Sequence, residues 1–271
     1  EAPFIGKIKD GSKKVLEIHF SRFKRLQYER KGIWKWVDTF RNKTDYKIVN
    51  KFERFVVLTE EDKSYWGDLP NMEVIANAKN EWGDHTADLD NKTVIAVGRY
   101  DYQKGFDRLI EAWRLIHKRF PDWKLKIIGD GLLREKLEML IGNYKLENVV
   151  ELKKSVSDIL PEYLGASVLM MSSRYEGLPM VLLEAESVGL PVVSFECKCG
   201  PKDIITDGED GFLAPEGDVR ILAEKTMRLI ENPDLRKKMG RSAKINSGRF
   251  SEPVIMDKWI RLFNHLLNEK E

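Results

Sequence analysis

From Thr93 onward the chain alternates short apolar runs with amphipathic stretches, and this alternation limits the fold more than any other feature. The runs over 93–97, 125–128, 149–152, 168–171, 191–194 and 211–215 are too short for helices, so they read as buried strands. Between the first two, Phe106, Leu109, Ile110, Trp113 and Ile116 recur at helical spacing in a helix expected over 104–119. Further helices are expected up to Tyr144, over 157–164, after Pro179 and from Val219 onward, with an amphipathic one over 252–268. Strands that alternate with helices build a parallel sheet with helices on both faces, so the fold class is α/β, doubly wound.

A smaller block precedes this one. It shows a strand pattern over 14–20, a basic stretch over 22–31, helical patterns over 34–40 and 46–52, and strands over 54–59 and 72–76. Thr59, followed by Glu60, Glu61 and Asp62, reads as a helix amino terminus, because acidic groups favour the positive end of the helix dipole. Trp34, Trp36 and Trp66 are expected in the core. The polar interval over 77–92 lacks periodicity and reads as an interdomain linker. A chain of 271 residues suits two such units.

The charge is nearly balanced at +2, which gives no reason to expect nucleic acid as a partner. No apolar run approaches the ~18 residues of a membrane-spanning helix, and no signal peptide is expected. The chain starts at Glu1 rather than Met, as a processed or excised chain would. Cys197 and Cys199 are too close for an easy disulfide and too few for zinc, so they read as structural and a reducing cytoplasm is the simplest setting.

Two segments carry chemistry. In the first, Arg174-Tyr-Glu-Gly-Leu-Pro-Met-Val-Leu-Leu-Glu184, Glu176 and Glu184 flank a turn that opens an apolar helix. Glu176 is expected in the loop at the carboxyl end of a strand, where open α/β sheets bind ligands. The backbone N–H groups of Gly177, Leu178 and Met180, with Pro179 in the first turn, would face an anion. Glu184 lies far enough into the helix to reach the same crevice and take a pair of hydroxyls. In the second, Gly98-Arg-Tyr-Asp-Tyr-Gln-Lys-Gly105, Gly98 allows a sharp turn after a strand and brings Arg99 and Lys104 to the same edge. A guanidinium and an ammonium there can neutralise a diphosphate. Taken singly, either segment could be an ordinary solvated loop; their order and spacing make them a site.

Together these segments resemble the ExxxxxxxE and GRxxxxKG elements of retaining glycosyltransferases of family 4, also called glycosyl transferases group 1. Gly129-Asp-Gly131 resembles the family's strand-end turn near the nucleotide, and 204–213 resembles its loop and strand beyond the donor site. Ser155 departs from the Gly usual beside the base pocket. The resemblance implies a GT-B fold of two Rossmann-like domains. Residues 1–92 would be part of an amino-terminal acceptor-side domain, 93–250 the nucleotide-sugar domain, and 251–271 a helix crossing back. The amino-terminal domain would be truncated. The implied activity is transfer of a hexosyl group, with retention, from a UDP- or GDP-linked sugar to a glycan or lipid-linked acceptor in polysaccharide or lipopolysaccharide biosynthesis.

In this reading Arg99 and Lys104 hold the diphosphate, Glu176 orients the sugar and Glu184 holds the ribose. Gly98, Gly129, Gly177, Leu178, Pro179 and Met180 line the donor site. His19 resembles a histidine that relatives place against the donor sugar, although a lone strand-end histidine is otherwise packed or solvated. No cofactor and no metal are expected: the DxD pattern occurs only as Asp88-Leu-Asp90 in the linker, and Arg99 and Lys104 would do a metal's electrostatic work. Arg22, Lys24, Arg25 and Arg30 could meet an acidic acceptor or lipid headgroup at the inner membrane surface, with a solvated loop the simpler reading. A nucleotide-sugar-binding fragment without turnover is the alternative. A GT-B epimerase is disfavoured because it would need acid–base residues from the amino-terminal domain.

Overall fold

The computed structural model describes residues 2–22 and 32–268. The short β-branched runs become two parallel sheets. The smaller holds β1 (Val15–Ile18), β2 (Arg54–Val57) and β3 (Met72–Val74) in that order. The larger holds β4 (Thr93–Val97), β5 (Lys124–Ile128), β6 (Val150–Lys153), β7 (Val168–Met171), β8 (Val192–Phe195) and β9 (Gly211–Ala214) in the order β6-β5-β4-β7-β8-β9. The chain thus winds outward from β4 to β6, returns to the other side of β4 at β7, and winds outward again. This is a Rossmann-like α/β arrangement whose topology reverses between β4 and β7.

β7 and β8 are buried at every position, as central parallel strands must be when helices cover both faces. The helix Phe106–His117 supplies one cover, with Phe106, Leu109, Ile110, Trp113 and Ile116 all buried. Helix ends follow local chemistry. The Asp218 carboxylate accepts from the Arg220 and Ile221 amides at the start of Val219–Glu231, and Asn232 accepts from Leu235 at the start of Pro233–Asn246. Thr59 caps Glu60–Trp66 by accepting from the Asp62 amide, as its sequence suggested.

Three expectations are corrected. The patterns over 34–40 and 46–52 merge into one helix, Ile33–Val49. Trp66 is 2% exposed and packs edge-on to Phe55, but Trp34 and Trp36 on that helix are 58% and 70% exposed and are not core. Arg22 is not solvated: its guanidinium lies 3.9 Å from the Tyr46 ring centroid and 4.5 Å from that of Trp66. Lys24, Arg25 and Arg30 lie outside the described residues.

Residues 77–92 are irregular but strapped down. The Lys79 amide donates to the Phe250 carbonyl and the Ala87 amide to that of Val188, both at 2.8 Å. Ala87 and Leu89 are buried, and the Arg236 guanidinium donates to the Leu89 carbonyl. The final helix, Glu252–Asn268, buries Ile255, Leu262 and Leu266 in an apolar cluster shared with Val56 from the small sheet, Ile75 just after β3, and Leu169 from the large sheet. Among the described residues, no helix is long and apolar enough to cross a membrane.

Candidate functional site

Both motif loops leave the carboxyl ends of neighbouring strands: residues 98–105 follow β4 and residues 172–179 follow β7. They therefore flank the crevice where the winding direction reverses, the place where open α/β sheets take ligands. The loops are bound to each other at close range. Gly105 has φ +63°, and a Cβ there would stand 2.2 Å from the Ser172 carbonyl oxygen, so only glycine permits the approach. Across this contact the Ser172 hydroxyl donates to the Lys104 carbonyl at 3.0 Å and the Arg174 amide to the Gln103 carbonyl at 2.8 Å. The Arg174 guanidinium grips Asp107 through two bonds of 2.9 and 2.6 Å and the Tyr102 carbonyl through a third. Burial alone would raise the Asp107 pKa, but this grip holds it below the ordinary value.

The Lys104 ammonium meets the Glu176 carboxylate at 2.7 Å, and both side chains are largely buried. The other Glu176 oxygen accepts from the Gln103 amide at 3.3 Å, and that amide also donates to the Tyr175 carbonyl at 3.0 Å. The sequence reading missed Gln103; its only signal was a position next to Lys104. Arg99 differs from Lys104. Its side chain is 75% exposed and only loosely tied to Asp101, at 3.4 Å, so it is free to swing toward an incoming anion.

A cavity of about 370 Å³ opens beside these groups, lined by Gly98, Arg99, Gly129, Asp130, Ser155 and Glu184 among others. That volume lies within the usual range for small-molecule sites. A Cβ on Gly129 would come within 1.9 Å of the Gly98 carbonyl oxygen, so the turns after β4 and β5 touch to form its wall. A larger hollow of about 650 Å³ lies over Glu60, Lys63, Gly67 and Met72 in the amino-terminal part, and none of the motif residues lines it.

Glu184 sits within the helix Met180–Ser187, with Pro179 immediately before it; Gly177 and Leu178 form the turn into the helix. Burial pushes the Glu184 pKa up, against the Tyr163 hydroxyl and the charge of Lys104, which lower it. Its oxygens accept from Tyr163 at 2.7 Å and Asn80 at 3.3 Å, residues that fell in the expected helix over 157–164 and in the expected linker and were given no role there. His19 reaches the same neighbourhood through its backbone, since a Cβ on Gly177 would lie 2.8 Å from the His19 carbonyl oxygen. The His19 imidazole itself lies 3.2 Å from Glu17. Asp88 and Asp90 take a different course: Asp90 pairs with Lys237 at 2.8 Å and Asp88 accepts from Asn91. Burial pushes the Cys197 thiol well up, consistent with a structural residue rather than a nucleophile.

The sequence pattern of the family described as Glycosyl transferases group 1 matches residues 78–246, well over half the chain and all of the site just described except His19. The chain belongs to this family. Among its relatives are the amylovoran biosynthesis glycosyltransferase AmsD of Erwinia amylovora, 38% identical over 78% of this chain, and a glycosyltransferase of Haemophilus influenzae, 33% identical over 79%. The chain spans 62% of the length of each. A structure of S. aureus TarM in complex with Fondaparinux, alpha-GlcNAc-glycerol and UDP superposes with a TM-score of 0.81 at 26% identity, covering 94% of this chain and 51% of TarM. The fold is therefore of the GT-B type. In this family member the loop after β4 supplies Gly98 and Arg99 to the cavity wall, and Glu184 joins them from the helix that follows the second motif loop.

Proposed function

We propose that this chain belongs to a retaining glycosyltransferase that moves a hexosyl group from a UDP- or GDP-linked sugar to a glycan or lipid-linked acceptor. The observation that carries the reading is the Lys104–Glu176 pair at 2.7 Å, at the reversal between β4 and β7 and beside a cavity that ends at Glu184. A nucleoside in that cavity would lie between Gly129 and Ser155 with its ribose on Glu184. Its diphosphate would meet Gly98, Arg99, Lys104 and the amides of Gly177, Leu178 and Met180 after the Pro179 turn, and its sugar would meet Glu176, with His19 opposite. AmsD's role in making amylovoran and the UDP held by TarM support the substrate class.

The chemistry breaks the bond between the sugar's anomeric carbon and the phosphate oxygen, and the electron pair leaves with the nucleoside diphosphate. The acceptor hydroxyl forms its bond on the same face, and its proton passes to the departing phosphate oxygen. Lys104 and Arg99 stabilise the charge that grows on the leaving group; because this interaction strengthens in the transition state, it accelerates the reaction rather than merely tightening binding. Glu176 loses part of the Lys104 charge as the ammonium turns toward phosphate and gains sugar hydroxyls in exchange.

We also read the chain as amino-terminally truncated, with 1–92 part of an acceptor-side domain, 93–250 the donor domain and 251–271 a returning helix. Exposed Trp34, Trp36 and Phe40 would suit peripheral contact with the inner membrane surface. The span of 62% of its relatives favours one second reading, a fragment that binds nucleotide sugars without turnover. Titration calorimetry with UDP, GDP and ADP, run beside a donor-hydrolysis and transfer assay, separates the two: binding without reaction selects the fragment. In a full-length parent, Lys104→Ala and Glu176→Ala should each lower transfer by on the order of a hundredfold or more. Wild-type rates in either variant would sink the assignment.

A further inference from the structure

Glu184 is held from both sides. The Tyr163 hydroxyl donates to Oε2 at 2.7 Å and the Asn80 side-chain amide to Oε1 at 3.3 Å. Tyr163 is fully buried in the short helix Leu160–Leu164, which leads into β7, and its ring packs on Trp82 with centroids 5.7 Å apart. A phenol so enclosed has little freedom to turn its hydroxyl elsewhere, and a buried hydroxyl without a partner costs free energy. Asn80 comes from the strapped segment 77–92, which is held beside the Glu184-bearing helix Met180–Ser187 by the Asn77 side-chain amide contact to the Met180 sulfur at 3.8 Å. Two separate elements thus fix one carboxylate.

The effect on recognition follows from counting acceptors. An ionised carboxylate offers about two lone-pair directions per oxygen. With one direction on each oxygen occupied, one on each remains, and Glu184 lines the cavity. Two parallel acceptors about one carboxylate-width apart match a vicinal diol, whose hydroxyls can each donate to a different oxygen. A sugar lacking one of those hydroxyls would leave a half-buried acceptor unmet, and sites built for a hydroxyl reject analogues lacking it more strongly than apolar pockets reject an extra methylene. Protonation would spoil the arrangement by turning one acceptor into a donor. Burial favours protonation and raises the Glu184 pKa, while the Tyr163 hydroxyl and the Lys104 charge oppose it and limit that rise.

We propose that Tyr163 and Asn80 are positioning residues that hold Glu184 as a two-point acceptor for a ribose diol, which makes the site select ribonucleotides over 2′-deoxyribonucleotides. This deepens the donor-site reading above and rests on it. The test is calorimetry of the 271-residue chain with UDP and 2′-deoxy-UDP, and with GDP and 2′-deoxy-GDP. The wild-type protein should prefer the ribose form of its nucleotide by on the order of tenfold or more, the scale of a lost hydrogen bond to a charged group. Tyr163→Phe and Asn80→Ala should each shrink that preference several-fold by weakening the ribose form, while 2′-deoxy binding stays within about twofold. Asn80 is exposed, so its variant tests the idea even if Tyr163→Phe disturbs packing. Equal loss for both sugars would mean mere packing and overturn the inference, as would an unchanged preference in both variants. A wild-type protein that binds no nucleoside diphosphate would instead remove the donor site itself, a distinguishable failure.

Discussion

The two sheets differ in how completely they are enclosed. In the large one β7 and β8 are buried throughout, Trp113 and Leu109 seal one face, and Leu182 and Leu183 the other. In the small one only β2 is largely buried; β1 is half-buried along its length, and the helix Ile33–Val49 turns Ile33, Trp34, Trp36 and Phe40 outward. Parallel sheets are normally covered on both faces. The contacts Lys104–Glu176 and Tyr163–Glu184 grow from the enclosed sheet, with Asn80 added from the strap before it. The contrast teaches that a site needing positions held to a fraction of an ångström is built where the backbone cannot relax, and the open sheet supplies only neighbours such as His19.

The sharpest way to break this contrast is a pair of tryptophan deletions. Trp113→Ala should cost about 3–5 kcal/mol of unfolding free energy in denaturant titration, because a fully buried indole leaves both lost transfer energy and a cavity. Gly105→Ala comes next, at about 2 kcal/mol or more, from a left-handed φ and a Cβ driven into the Ser172 carbonyl. It should also separate the two motif loops, so nucleotide affinity in calorimetry falls more than the melting temperature would suggest.

The enclosed half carries one misfit that sharpens the comparison. Glu186 is fully buried, and neither carboxylate oxygen has a hydrogen-bond partner. Burial first, and then the nearby Asp210 charge, push its pKa well above the ordinary value, with Arg249 opposing. A carboxyl whose pKa is higher folded than unfolded stabilises the fold at acid pH, and that contribution is lost as pH rises from the ordinary carboxyl range through the raised value. Glu186→Met should therefore stabilise the chain by about 1–3 kcal/mol at neutral pH, with the gain shrinking as pH falls toward the ordinary carboxyl range. Thermal melts across pH check it; a gain that grew on acidification would contradict the assignment. The smallest effect belongs to the open half. Trp36→Ser should change stability by no more than about 0.5 kcal/mol, and a cost near that of Trp113→Ala would erase the distinction between the halves.

Much of this molecule can be read in one dimension. The apolar runs became strands within a residue or two of their expected limits, since a strand or amphipathic helix records its burial in local periodicity. The placement of Gly98, Arg99, Lys104 and Glu176 in loops after strands, and of Glu184 inside the helix that follows, was legible because turn chemistry is local too. The tryptophans show where that logic stops. Trp34, Trp36 and Trp66 have the same side chain, yet one is enclosed and two are not, because enclosure depends on what lies across from them.

Pairing stopped it again. Lys104 and Glu176 are 72 residues apart in sequence, Asn80 and Glu184 are 104 apart, and no periodicity links such partners. The alternation of patterns was enough to dictate a parallel sheet, its class and the edge that carries the chemistry, because hydrogen-bonding geometry and apolar spacing act over a few residues. Which carboxylate meets which cation, that Gln103 and Tyr163 serve the site, and that the polar interval is a strap rather than a tether were settled when the chain reversed at β4 and brought distant loops within a few ångströms.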